Sequence, residues 1–108
     1  MCQYCDHIIL SQTDHAQLSW CKGCRSFSLV YRNCALSFTP KELKQFKRML
    51  EELSEEDYNY DFFGQQMVLI KNQYAYMGVC FTECEVDILL DLISEALAMK
   101  EVFGIIYK

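Results

Sequence analysis

Apolar residues change their period along this chain, from about two to nearly four and back, and the changes mark out its elements. Ile8-Ile9-Leu10 and Gln17-Leu18-Ser19-Trp20 read as two short strands, with the polar stretch from Ser11 to His15 turning the chain between them. Phe27 to Tyr31 is a run of β-favouring residues. Arg32-Asn33 interrupts it and Cys34 to Phe38 follows, which predicts a hairpin whose left-handed turn residue is Asn33. At Thr39-Pro40-Lys41-Glu42 the period lengthens. Thr39 is an N-cap, Pro40 suits the first helical position and Glu42 completes a capping box. Leu43, Phe46, Met49/Leu50 and Leu53 then give one apolar helical face.

The second half repeats the scheme after a connector over 54–65. Gln66 to Ile70 reads as a strand, Asn72-Gln73 as a turn and Tyr74 to Phe81 as the returning strand. Thr82-Glu83-Cys84-Glu85 repeats the capping box. Val86, Leu89, Leu90, Ile93 and Leu97, with Ile88 and Leu92, predict a helix to about Met99. Shifted by 43 positions, Phe38, Thr39, Glu42, Leu43, Phe46 and Leu50 fall on Phe81, Thr82, Glu85, Val86, Leu89 and Ile93. The same match arises between any two capped amphipathic helices that follow a strand, so both a duplication and coincidence stay open.

The predicted fold is therefore α+β, in a single domain. An N-terminal ribbon-like β segment (1–25) precedes a ββα unit (26–53), the connector (54–65), a second ββα unit (66–101) and an apolar tail (102–108). An antiparallel sheet with both helices on one face is the simplest packing. The second helix is apolar around more than half its circumference, which predicts a homodimer through that helix and the tail. The tail, Val102 to Tyr107, is expected to dock or to add an edge strand.

Composition narrows the class. The 108 residues are 52% hydrophobic and 23% charged, the balance of a globular chain rather than a disordered one. No run reaches the length of a membrane span and no basic, then apolar, leader opens the chain, so a cytoplasmic protein is expected. The net charge of −5 is unevenly placed. Residues 20–50 carry seven basic side chains against Glu42, and residues 51–108 carry twelve acids against Lys71, Lys100 and Lys108. Overall acidity disfavours non-specific nucleic-acid binding, whose affinity comes from neutralising phosphates. The basic middle keeps a local anionic contact open.

Seven cysteines without a secretory leader point to thiols or metal ligands rather than disulfides. Cys2/Cys5 and Cys21/Cys24 form two Cys-x-x-Cys pairs fifteen residues apart, the spacing of a four-cysteine zinc ribbon. Each such turn places two sulfurs on one side of the ion, and one hairpin brings the two turns together. Gly23 is expected to supply the positive φ of the second turn. Four thiolates leave no open coordination position, so the zinc would be structural, although thiolates also accept iron. If Cys2 at the chain end is not a ligand, His7 or His15 could be the fourth.

Cys34 and Cys80 fall in strand runs and read as small core residues, whereas Cys84 sits in the first turn of a helix, where the dipole favours thiolate. A thiol or redox protein using Cys84 or Cys80 is one alternative reading. A nucleic-acid binder is another, with Tyr4, Trp20, Tyr31 and Phe38 beside Lys22, Arg25, Arg32 and the Lys41–Arg48 face. The reading that absorbs most of the residues is a non-enzymatic, zinc-stabilised protein-interaction or regulatory module without catalytic residues, whose protein partner the residues do not identify.

The runs Trp20-Cys21-Lys22-Gly23-Cys24, Tyr31-Arg32-Asn33 and Leu36 to Leu43, with Cys80-Phe81-Thr82 and Leu89 to Leu97, resemble an uncharacterised family of short bacterial proteins, a domain of unknown function with an N-terminal zinc-ribbon-like segment. The resemblance implies a bacterial cytoplasmic protein with no activity to carry over. It also implies that Cys21/Cys24 is the steadier cysteine pair and Cys2 the weaker ligand.

Overall fold

The computed structural model describes residues 7–71 and 78–106, with the backbone alone described over 103–106. Four strands, β1 (His7–Gln12), β2 (Ala16–Cys21), β3 (Ser26–Tyr31) and β4 (Cys34–Phe38), form an antiparallel meander in chain order. Helix α1 (Pro40–Glu51) follows, then a single 3-10 turn (Glu55–Asp57). A second antiparallel sheet is made of β5 (Tyr60–Phe62), β6 (Gln65–Lys71) and β7 (Gly78–Thr82), and α2 (Glu83–Ile106) closes the chain. The class is α+β, but in two sheets rather than the single sheet expected.

Alternation explains the first sheet. Leu18, Leu29 and Leu36 lie in register across β2, β3 and β4, as do Trp20, Phe27 and Phe38, and these rows face the core. β1 joins them through a bulge between Ile9 and Ser11. The extra residue allows Leu10 and Ser11 both to be buried, and Ser11 Oγ donates to the Leu92 carbonyl of α2 at 2.8 Å. Ser11 is thus a core residue within β1 and not part of the turn, which falls on Thr13 to His15. There Thr13 N–H bonds the Ala16 carbonyl at 2.7 Å.

Both capping boxes form, with matching geometry. Thr39 N–H donates to Glu42 Oε1 at 2.8 Å and Thr39 Oγ1 accepts from Glu42 N–H at 3.2 Å; Thr82 and Glu85 repeat both distances. The likeness between halves stops at the hairpins. Phe38 pairs with Phe27, eleven residues back, whereas Phe81 pairs with Val68, thirteen back. The expected turn at Asn72-Gln73 and the start of its returning strand lie outside the described residues. β5 and its tight turn at Phe63-Gly64 occupy part of what reads as connector.

α2 is longer than its sequence pattern predicts, because helical backbone continues through Ile106 and takes in most of the apolar tail. It packs chiefly on β1 and β2, and also touches α1 and β7. Val86, Leu89, Leu92, Ile93 and Ala96 are buried by these neighbours, while Asp87, Asp91, Glu95 and Glu101 are exposed beside Ile88 and Val102. The apolar surplus that suggested a dimer through this helix is thus largely covered within one chain. Lys100 Nζ sits 4.5 Å from the Trp20 ring centroid and holds the far end of α2 against β2. Among the described residues, no helix is long and apolar enough to cross a membrane.

Candidate metal centre

β2 and β3 are joined at the Cys21–Ser26 pair by the four-residue turn Lys22-Gly23-Cys24-Arg25. The turn folds Cys24 back over Cys21, and the Cys24 N–H donates to Cys21 Sγ at 3.4 Å. An N–H aimed at a cysteine sulfur is what a metal-binding Cys-x-x-Cys turn provides, because it stabilises the thiolate and fixes the sulfur's direction. Cys21 is only 2% exposed and Cys24 lies at the surface, so the pair presents one anchored and one accessible sulfur. The left-handed residue is Arg25, at φ 53°, and not Gly23. The chain must reverse after the second cysteine to enter β3, so the strain falls one residue beyond the pair.

Partial desolvation, together with the hydrogen bond and charge of the Cys21 sulfur, pushes the Cys24 thiol above its ordinary value. Two thiolates this close repel; a divalent ion between them reverses the effect and takes both as anions.

The remaining candidates divide sharply. Cys2 and Cys5 lie outside the described residues. His7 is the cross-strand partner of Cys21, so its Cα is about 4.5–5.5 Å from that of the cysteine. His15 precedes Ala16 at the far end of β2, six residues from Cys21 and about 20 Å away along an extended strand. That separation removes His15 as the fourth ligand. Among the described residues, no three metal-ligating side chains converge.

Cys34, Cys80 and Cys84 are all exposed, contrary to the core positions expected of the first two. Cys34 lies in β4, Cys80 in β7 and Cys84 in the first turn of α2. The aromatic surface expected beside the basic residues is also rearranged. Tyr4 lies outside the described residues, Tyr31 is buried, Trp20 packs on Phe27 at 4.8 Å between centroids, and Phe38 packs on Phe46 at 4.9 Å. Tyr31 is therefore buried, and Trp20 and Phe38 are half-buried against these neighbouring rings.

One cluster escaped sequence reasoning. Tyr31 OH donates to Glu85 Oε2 at 2.5 Å, and Arg32 lies 4.0 Å from the same oxygen and over the Tyr31 ring. Burial alone would raise the Glu85 carboxyl. The bonds from Tyr31 and Thr82 and the charge of Arg32 outweigh it and hold Glu85 below the ordinary carboxylate value. Burial and the Glu85 contact push the Tyr31 phenol up. Arg32 sits at φ 53°, so the left-handed residue of the β3–β4 turn is Arg32 rather than Asn33. The only sequence signal is the Glu of the second capping box, which gives no hint of a partner 54 residues away.

Fold and site together define a small α+β protein in which a β-meander presents a Cys-x-x-Cys turn. The chain belongs to the Family of unknown function (DUF6686), which it matches over residues 1–105. No curated protein and no solved structure matches it.

Proposed function

We propose that this protein is a non-enzymatic interaction or regulatory module whose meander is fastened by a structural zinc ion. The observation that carries this reading is the N–H···S bond from Cys24 to Cys21 at 3.4 Å, which gives the second Cys-x-x-Cys pair the backbone geometry of a metal turn. Cys21 and Cys24 would supply two thiolates and Cys5 and Cys2 the others, with His7 positioned as the substitute for Cys2. A shell of four protein ligands holds the ion closed to substrate, so the ion would supply folding energy and no chemistry. Function would then lie on the surfaces that the fastened ribbon supports, in a cytoplasmic setting that keeps thiols reduced.

Elemental analysis of the purified protein tests this directly. One zinc per chain is expected, lost in Cys21→Ser and in Cys24→Ser, with Cys2→Ser and His7→Ala deciding the fourth ligand. Protein that holds no stoichiometric metal, or that keeps it in both Cys21→Ser and Cys24→Ser, would sink the reading. Iodoacetamide labelling of the metal-loaded protein separates it from a thiol enzyme. Comparable slow rates at Cys34, Cys80 and Cys84 are expected, whereas one fast cysteine indicates an activated nucleophile.

A further inference from the structure

The two sulfurs of the β2–β3 turn are held together but are not equally open to water. The Cys24 N–H bonds Cys21 Sγ at 3.4 Å, yet Cys21 is 2% exposed and Cys24 stands at the surface. Among the described residues the other cysteines stand singly on different elements, Cys34 on β4, Cys80 on β7 and Cys84 on α2. A water-borne oxidant therefore meets Cys24 before Cys21, and whatever forms at Cys24 has the Cys21 sulfur beside it. That is the arrangement of an attacked thiol with a resolving partner. A residue whose N–H already touches the other sulfur has its own sulfur within reach of an S–S bond of about 2.05 Å.

Charge favours the same cysteine. Exposed Lys22 and Arg25 lie on either side of Cys24 in the turn, whereas Cys84 has Glu83 and Glu85 as its neighbours. Reactive cysteines sit in accessible, electropositive surroundings. A cysteine that ligates a metal is also deprotonated already, so the loaded protein offers Cys24 as a thiolate.

We propose that Cys21 and Cys24 are a peroxide-sensitive release site, whose closure to a disulfide removes two thiolates from the ion and lets it leave. Peroxide transfers one oxygen to Cys24 Sγ, giving a sulfenic acid and hydroxide. The Cys21 thiolate attacks that sulfur, forms the S–S bond and expels a second hydroxide. Two thiolates lose two electrons, hydrogen peroxide gains them, and two solvent protons turn the hydroxides into water. A dithiol reductant reverses the step by exchange and becomes a disulfide itself. In a reducing compartment the site stays open and loaded until oxidant rises. Release of the ion rests on the metal reading; the pairing of the two sulfurs does not.

Hydrogen peroxide, added in small molar excess to the metal-loaded full chain, tests the proposal. Freed zinc is followed with a colour-forming chelator and the cysteines are mapped by mass spectrometry. One ion released per Cys21–Cys24 disulfide is expected. Trypsin cuts after Lys22, inside the closed loop, so the disulfide reads as two linked peptides that dithiothreitol separates. Dimedone present during oxidation should tag Cys24 and spare Cys21, and dithiothreitol with added zinc should reload the chain. Metal retained under peroxide that oxidises Cys34, Cys80 or Cys84 overturns the proposal and leaves the metal reading standing. Metal released while Cys21 and Cys24 stay unlinked, or with dimedone on Cys21, overturns it too. A chain purified without metal removes the metal reading instead, and the same peptide map then decides the pair. Linked Cys21 and Cys24 keep the redox site without its ion, and unlinked ones overturn it.

Discussion

Glu85 is asked to do three things: close the cap of α2 on Thr82, accept the Tyr31 hydroxyl and face Arg32. Hydrogen bonds to a charged acceptor are worth about 1.5–3 kcal/mol each when buried and less at a half-exposed site. Tyr31→Phe is expected to cost about 1–2 kcal/mol by urea unfolding, and Glu85→Gln should lower stability further because it also weakens the cap. The sign of the pH dependence follows from the direction of each shift. Glu85 is depressed in the fold, so its contribution is present above its unfolded pKa of about 4.3 and is lost as pH falls through its lower folded value. Tyr31 is raised, so its contribution is present below about pH 10 and is lost as pH climbs through its folded value. Urea unfolding of the unaltered protein and of Tyr31→Phe across both ranges checks this; the two curves should converge at the acid and alkaline ends. At Phe63 the argument runs the other way. Glycine accepts a positive φ without the clash of a Cβ, and Phe63→Gly should gain up to about 1 kcal/mol.

At the scale of elements, the two helices start alike and end differently. Thr39→Ala should destabilise the protein by about 1 kcal/mol, within the usual range for a lost N-cap, and Thr82→Ala by more because Glu85 is shared with Tyr31. α1 needs only its one apolar face, with Leu43 and Leu50 buried. α2 packs against β1, β2, α1 and β7, and these several neighbours bury Val86, Leu89, Leu92, Ile93 and Ala96. The bulge in β1 ties this helix to the sheet at a single buried hydroxyl. Ser11→Ala should cost about 1 kcal/mol in thermal unfolding, since it removes one hydrogen bond and leaves no buried donor behind.

Across the whole molecule, the Cys21–Cys24 turn and helix α2 come together at Trp20. Trp20 adjoins Cys21 in β2, and its ring lies under Lys100 of α2. Removal of a bound ion by a chelator is expected to lower the melting temperature and shift Trp20 emission, and readdition of zinc should reverse both. Lys100→Met should alter the emission of the loaded protein without releasing metal. The charge distribution works at the same scale. Basic side chains gather on α1 and acidic ones on the 55–61 segment and α2, so the two halves of the chain carry opposite local charge.

The capped helices, the β3–β4 hairpin and the Cys21/Cys24 turn were all legible in the sequence, because each depends on residues within a few positions of one another. Thr39 and Glu42 find each other through one helical turn, and Cys21 and Cys24 through one backbone reversal. The sequence also determined the uneven charge and the apolar excess of α2. What only tertiary structure decided involves partners far apart in the chain or backbone conformations that neighbours impose. Two sheets formed where one was expected, because β5 gave β6 and β7 a separate neighbour. The left-handed positions went to Arg25, Arg32 and Phe63 and not to Gly23 or Asn33, since strand register and not residue preference set where each turn reversed. His7 and His15 are equivalent by residue type; only the β1–β2 register set one opposite Cys21 and the other at the far end of the sheet. The same holds for the Cys21/Cys24 turn: its spacing was written in the chain, and the N–H aimed at the Cys21 sulfur came from the fold.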